Sequence, residues 1–187
     1  MTTWIVLGVL VLLALYLVSL YNRLVKARQM AKEGWSGIDV QLKRRADLVP
    51  NLVDTVKGYM SHERETLEAV TTMRAQVGAV PAGDVEGRAK AEGLLGQALG
   101  RLLAVAENYP DLKASTNFQT LQLELSNLEN EIQMSRRYYN GAARELNVMV
   151  ESFPSNLVAG QFGFAPMDYF EIENAADRAV PKVGFNG

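Results

Sequence analysis

Apolar residues follow two different patterns along this chain. Residues 2–22 read TTWIVLGVLVLLALYLVSLYN, and no Asp, Glu, Lys, Arg or His occurs before Arg23. Beyond that point, apolar residues recur every three or four positions, which is the spacing of one face of an amphipathic helix. No segment sustains the apolar–polar alternation typical of strands. The pattern therefore predicts an all-α protein that begins with an apolar segment.

The apolar first segment has the length and composition of a membrane-spanning helix. About 20 residues of helix cross a hydrocarbon core of about 30 Å. Trp4 and Tyr21 bracket the run, as expected for side chains at two membrane interfaces. A cleaved signal peptide is the alternative, but no Lys or Arg precedes the run and no clear small-x-small site follows it. We predict that residues 1–22 form an uncleaved transmembrane anchor.

The charges that follow the anchor predict its orientation, because Lys and Arg prefer the cytoplasmic flank of a span. The first charged residues are all cations, and the flank consists of Arg23, Lys26, Arg28 and Lys32. We predict a single-pass protein of the cell membrane, with its amino terminus outside and everything after residue 22 in the cytoplasm. The opposite topology stays open, because long domains can cross regardless of charge.

Residues 23–153 are predicted to form an antiparallel bundle of three to four long helices. The first continues the span, carries apolar residues at helical spacing from Trp35 to Val77, and ends in the loop VGAVPAGD. The second covers roughly residues 85–108. The third, residues 116–153, has an apolar seam in unbroken three–four alternation, typical of coiled-coil packing. This seam consists of Phe118, Leu121, Leu125, Leu128, Ile132, Ser135, Tyr139, Ala142, Leu146, Met149 and Phe153.

Three details of these helices are also predicted. Each glycine in the second helix costs about 1 kcal/mol of helix stability relative to alanine. The presence of several glycines on one side of this helix is best explained by the close approach of another helix. These glycines are Gly93, Gly96 and Gly100. Thr116 and Gln119 fit a capping box at the start of the third helix. Asparagines that lie off the seam, and so are predicted to face water or a partner, are Asn127, Asn130, Asn140 and Asn147.

The tail, residues 154–187, is rich in aromatic residues, Gly and Pro. We predict short turns packed on the bundle, because well-packed aromatic rings bury a large area and Pro and Gly fix turns. A peptide-like motif for a partner is the alternative, and its candidate residues are Phe162 and Phe164. Beyond about residue 174 the tail is predicted to be disordered.

The stretch KRRADLVPNLV, residues 43–53, places a proline deep inside the first helix. Pro50 cannot donate to the carbonyl of Ala46, a defect that costs about 3 kcal/mol or more in a helix interior. Either the helix bends between Ala46 and Pro50, or Asp47 caps a new helix that carries Pro50 in its first turn. Both alternatives stay open from sequence.

The three cations in the same stretch are consecutive, so they point in different directions around the helix. Lys43, Arg44 and Arg45 are therefore predicted to form a solvated surface that could also contact a partner. Arg45 falls near the apolar face, where it is predicted to pair with a glutamate of the third helix, such as Glu124 or Glu131.

Several strings in the chain resemble the LemA family. They are YNRLVKAR, Trp35 followed by IDVQLKRRADLVPNLVDTVKGY and HE, then ENYPDLKAS and FPSNLVAGQFGF. The resemblance covers nearly the whole chain and implies a membrane-anchored all-α bundle without known catalytic residues. It also implies roles among relatives in magnetosome formation or, by gene neighbourhood, beside membrane proteases.

Composition favours a protein without catalytic chemistry. There is no cysteine, His62 is the only histidine, and the net charge is −2. Histidine-based metal sites and Ser-His triads need more partners than one histidine can supply, and a near-neutral charge gives no reason to expect nucleic acid. We predict no catalytic, metal or cofactor site and no small-molecule substrate.

The predicted function is a non-enzymatic membrane-anchored scaffold or adaptor. Its partners would be the lipid bilayer and either a second copy of the chain or a membrane protein. The alternative is an accessory or regulatory subunit of a membrane protease, or a membrane-shaping protein.

Overall fold

The structure, a computed structural model, describes residues 1–81 and 83–171 and contains only helices and connecting turns within them. The helices are α1 (Thr2–Lys57), α2 (Arg64–Ala79), α3 (Val85–Ala106), α4 (Pro110–Ala114), α5 (Thr116–Glu151) and α6 (Ser155–Phe162). The predicted all-α class is confirmed. The antiparallel bundle of three to four long helices stays a prediction. The predicted disorder beyond about residue 174 lies outside the described residues.

The chain divides into two compact units. We call residues 1–41 with 131–169 the terminal unit, and residues 42–130, with 170 and 171 among the described residues, the middle unit. Helices α1 and α5 each contribute residues to both units, so each unit is described by itself.

The core of the middle unit is built from α1 to α5. Its buried apolar residues are Val49, Leu52, Val56, Met60, Leu67, Val70, Val77, Ala91, Leu95, Leu99, Leu102, Ala106, Leu112, Phe118 and Leu125. Asp84 caps α3 by accepting a hydrogen bond from the backbone N–H of Gly87 at 2.8 Å.

The prediction of one helix from Trp35 to the VGAVPAGD loop is wrong. Helix α1 ends at Lys57, a turn follows, and α2 begins at Arg64. Met60 sits in this turn, is fully buried, and donates its backbone N–H to the carbonyl of Val56 at 2.9 Å. Because a turn residue fills a core position, the apolar spacing continues across the break and conceals it.

Helix α1 runs through Pro50 without interruption, so the alternative in which Asp47 caps a new helix is not what forms. The carbonyl of Ala46, which Pro50 leaves without its helical donor, accepts a hydrogen bond from Nε of Arg74 at 2.8 Å. A side chain of α2 thereby replaces the missing backbone donor, which removes the penalty of an unpaired carbonyl.

In the terminal unit, burial along α1 begins at Leu20. All of residues 1–19 are exposed. The buried cluster of this unit consists of Leu20, Leu24, Ala27, Leu146, Met149, Val158, Ala159 and Phe164. Helices α1, α5 and α6 all contribute to this cluster, which places α6 beside the point where the exposed apolar stretch ends.

Close helix approach occurs at Gly34. A Cβ atom there would lie 3.0 Å from Cα of Tyr139, so only glycine fits without displacing the neighbouring backbone. The predicted approach of another helix is not found at Gly96 or Gly100 of α3. A Cβ at Gly96 would meet only Nη1 of Arg45, at 4.0 Å, and one at Gly100 would meet nothing within 4 Å.

Helix α5 follows its predicted seam closely but differs at both ends. Its last residue is Glu151, and Phe153 lies beyond it, exposed. At the start, the Gln119 side chain donates to the carbonyl of Lys113 at 2.7 Å. The predicted capping box with Thr116 would instead direct that side chain to the backbone of Thr116.

The bond between Arg74 and the Ala46 carbonyl generates a prediction. Arg74→Met should lower the free energy of unfolding by about 1–3 kcal/mol, because it leaves a half-buried carbonyl without a donor. In a Pro50→Ala background the restored N–H serves that carbonyl, so the same substitution should cost at least about 1 kcal/mol less. Denaturant unfolding in detergent measures both losses, and equal losses in the two backgrounds would contradict the interpretation.

Candidate functional site

The exposed amino-terminal part of α1, residues 2–19, is the first candidate surface. Within the described residues, α1 is the one helix long and apolar enough to cross a membrane, judged by length and composition. Trp4 is exposed near the start of the apolar run. Tyr21, at the end of the run, is 36% exposed. This helix provides the coarse feature that the sequence predicts, a candidate membrane anchor near the amino terminus.

The predicted membrane flank divides into two groups. Arg23, Lys26 and Lys32 are exposed, as a flank in contact with water and lipid headgroups requires. Arg28 is half-buried, and its guanidinium lies 4.6 Å from the ring centroid of Phe164, at cation–π distance.

The two aromatic residues proposed as a partner motif differ in burial. Phe164 is buried, so the prediction that it belongs to an exposed interaction surface is wrong. Gly163 explains the difference, because its φ of +68° turns the chain at the end of α6 and lets the N–H of Phe164 bond to the carbonyl of Ala159. Phe162 stays exposed, with its ring centroid 4.9 Å from that of Tyr21.

The segment after α6 is held by polar groups of α5. The Asn147 side chain accepts a hydrogen bond from the N–H of Met167 at 2.8 Å and donates one to the carbonyl of the same residue at 2.9 Å. The Tyr139 hydroxyl donates to the carbonyl of Asp168 at 2.7 Å. Burial and, secondarily, the Asp168 carboxylate raise the pKa of Tyr139 to about 12, so the hydroxyl remains a donor even in alkaline solution that ionises an ordinary tyrosine.

The burial of Asn147 corrects the prediction that the off-seam asparagines face water or a partner. Asn147 is only 9% exposed. The heptad count places Asn147 off the seam, but the segment after α6 covers that side of α5. Asn127 and Asn130 are exposed, as predicted.

Arg45 is not part of an exposed surface, contrary to the prediction. It is 4% exposed, and its guanidinium donates to the carboxylates of Glu92, from α3, and Glu129, from α5. Glu92 is fully buried, and its carboxylate also accepts a hydrogen bond from Nε of Arg88 at 3.2 Å. The predicted pairing of Arg45 with a glutamate of the third helix is confirmed by Glu129, but the named examples Glu124 and Glu131 are wrong, and both are exposed.

Sequence reasoning missed Glu92, although a signal for it exists. Glu92 lies three and seven residues before Leu95 and Leu99, which puts it on the buried face of α3. A carboxylate at that position requires a buried cation, and Arg45 is the cation near the apolar face of α1. Lys43 and Arg44 remain exposed.

A polar groove on α5 is a second surface that the sequence analysis missed. It has a volume of about 310 Å³ and is lined by Gln133, Arg136, Arg137, Asn140, Gly141 and Arg144. A Cβ at Gly141 would meet nothing within 4 Å, so the glycine leaves the groove open between its arginines. The signal is a second stripe at three–four spacing, on the side of α5 opposite the seam.

The groups considered for catalysis or metal binding do not come together. Within the described ranges, no three His, Cys, Asp or Glu side chains are placed so that they could hold a metal ion. His62 is exposed in the turn before α2, Glu107 is exposed just after α3, and Asp111 is exposed in the first turn of α4.

These features define a class of helical protein with one candidate membrane span near the amino terminus. Residues 34–185 match the LemA family, and because this match covers most of the chain, the protein belongs to that family. The predicted family is thereby confirmed.

The relatives of this chain include magnetosome proteins. Magnetosome protein MamQ 2 of Paramagnetospirillum magneticum is 27% identical over 184 aligned positions, covering 86% of this chain and 68% of the relative. Magnetosome protein MamQ of Magnetospirillum gryphiswaldense is 26% identical with the same coverage. Protein LemA of Metamycoplasma hominis is 30% identical over 138 positions, covering 74% of this chain and 63% of the relative.

The buried pair of Arg45 and Glu92 can be tested by substitution. Arg45→Met should lower the free energy of unfolding by about 3 kcal/mol, because it leaves the Glu92 carboxylate buried with less compensation. Adding Glu92→Met should recover most of the loss, since an apolar pair replaces both charges. Lys43→Met, on the exposed side, is the control and should change the value by less than about 0.5 kcal/mol. Equal effects at residues 43 and 45 in denaturant unfolding would refute the buried pair.

Proposed function

We propose that this protein is a non-enzymatic, membrane-anchored helical adaptor. The apolar part of α1 would cross the bilayer, and helix faces beyond it would recruit a second copy of the chain or a membrane protein. The observation that carries the proposal is the continuity of α1, one helix that leads from exposed apolar residues into a buried cluster beginning at Leu20. The names of the MamQ relatives agree with it, because they refer to a cell structure and not to a reaction.

The exposure of residues 2–19 supports an anchor over an ordinary core helix. Leaving a large aliphatic side chain in water forgoes about 1.5–3 kcal/mol relative to burying it, and this stretch exposes a long series of them. A hydrocarbon environment removes that penalty without any protein partner.

The burial of Leu20 and Leu24 supports an anchor over a cleaved signal peptide. Both side chains belong to the terminal-unit core, although they lie at the end of the apolar run. Cleavage just after the run would take Leu20 out of that core. The position of Arg23, Lys26 and Lys32 directly after the apolar run favours a cytoplasmic location for the part beyond the span.

A face of α5 within the terminal unit is the proposed recruiting surface. Exposed residues recur there at three–four spacing, and they are Met134, Arg137, Gly141, Arg144 and Val148. The combination of apolar ends with a groove lined by three arginines favours a helical partner that carries carboxylates. Of the surface residues predicted from sequence, Lys43, Arg44 and Phe162 remain exposed and are secondary candidates.

Cross-linking in native membranes tests this function. A photoreactive amino acid at Met134 or Val148 should yield one recurrent cross-linked protein, identified by mass spectrometry. Arg137→Glu with Arg144→Glu should lower that yield about tenfold or more, the effect of losing at least about 1.4 kcal/mol of binding.

The matched control is Lys90→Glu with Arg101→Glu, which makes the same charge change at exposed positions of α3. The control should leave the yield unchanged. A chain that cross-links to nothing from either position would contradict the adaptor function. The identity of the captured protein separates the alternatives, since a protease subunit would indicate an accessory role and a second copy would favour scaffolding or membrane shaping.

A further inference from the structure

We propose that α6 and the Phe153 that precedes it form a second membrane contact, an interfacial element that lies against the bilayer beside the span. The proposed contact residues are Phe153, Leu157 and Phe162. This inference rests on the proposed anchoring function and extends it, because it assigns a lipid-facing role to a part of the chain far from the span in sequence.

The chain around α6 carries no charge. Residues 152–167 read SFPSNLVAGQFGFAPM, so the nearest charged residues along the chain are Glu151 and Asp168. Charged side chains are costly in the apolar part of a bilayer, whereas apolar side chains, amides and hydroxyls are tolerated at its edge. An uncharged run of this length is therefore suited to contact with lipid.

Helix α6 has one face in the protein and one face outside it. Val158 and Ala159 are buried in the cluster that includes Leu20 and Leu24. Leu157, on the side away from the buried face, is 63% exposed, whereas Phe162, the last residue of the helix and four positions after Val158, is 59% exposed. Phe153, just before the helix, is 79% exposed. Three large apolar side chains are thus left in water within the ten residues 153–162, which marks this short segment as a contact surface.

The position of α6 fits the edge of the hydrocarbon layer. The exposed apolar stretch, residues 2–19, is about 27 Å long at about 1.5 Å per residue, close to the hydrocarbon thickness of about 30 Å. A span that uses this stretch ends near Tyr21. The ring of Phe162 lies 4.9 Å from that of Tyr21, centroid to centroid, which puts it at the same level.

The surroundings of this surface favour lipid over a protein occupant. The surface is continuous with the proposed span through the contact between Phe162 and Tyr21, so a bilayer that surrounds residues 2–19 reaches α6 without further adjustment. Arg23 and Lys26 are exposed just beyond Tyr21, where cations attract anionic headgroups. A protein occupant would have to displace lipid from the base of the span.

Labelling at single cysteines tests the inference on the full chain. The protein has no cysteine of its own, so Leu157→Cys and Phe162→Cys each create a unique site for an environment-sensitive fluorophore. The labelled chains are reconstituted into vesicles of phosphatidylcholine and phosphatidylglycerol. Quenching is then compared between spin-labelled lipids and a water-soluble quencher.

Two control positions frame the result. Leu12→Cys reports on the proposed span. Val40→Cys reports on an apolar side chain that is 55% exposed on the same helix, about 30 Å beyond Leu20 at about 1.5 Å per residue. We expect lipid quenching at least about threefold stronger at residues 157 and 162 than at residue 40, with the reverse order for the aqueous quencher, because the membrane interface excludes water from the label.

The quenching results distinguish a failure of the proposed interfacial contact from a failure of the proposed membrane anchor. Lipid quenching at residue 12, with residues 157 and 162 as accessible to water as residue 40, overturns the interfacial contact and leaves the anchor standing. Shielding of 157 and 162 from both quenchers indicates a protein occupant and also overturns it. A label at residue 12 that stays in water refutes the anchor, and the inference falls with it.

Discussion

Helix α1 is one uninterrupted helix with two different environments, an exposed apolar stretch and a part that packs against other helices. Up to residue 19 its side chains are uncharged, mostly apolar and exposed on every side, and from Leu20 onward one face is buried against other helices. No turn separates the two regimes. The remaining features of the protein depend on this change, because it determines where lipid would end, where protein packing begins, and which helices lie at the boundary.

Beyond that boundary, polar groups in special positions maintain the helices. Arg74 supplies the donor that Pro50 withholds from the Ala46 carbonyl, which allows α1 to continue through a proline. Arg45 and Glu92 form an ion pair in the middle-unit interior. Asn147 and Tyr139 bind the segment after α6 through its backbone. Each contact ties residues distant in sequence, and unpaired buried groups would be costly.

Periodicity was sufficient to predict the all-α class and the α5 seam, and an uninterrupted apolar run was sufficient to predict the candidate span, because each depends on many residues that carry one signal. It failed where a single tertiary contact decides. The turn at Met60 keeps helical spacing while leaving the helix, and Phe164 becomes buried through the left-handed turn at Gly163. Glu92 was within reach of the same reasoning, since its spacing to Leu95 marks it as buried. The groove at Gly141 could not be predicted from sequence, because it depends on how its arginine side chains are arranged in three dimensions.

The central claim is that the apolar start of α1 stays on the protein and holds it in a membrane. Intact-mass spectrometry of the protein after alkaline carbonate extraction of membranes tests it most directly. The account predicts a membrane-pellet species whose mass includes residues 2–22, since a spanning helix resists carbonate. A polypeptide in the aqueous fraction that begins near residue 23 would contradict it.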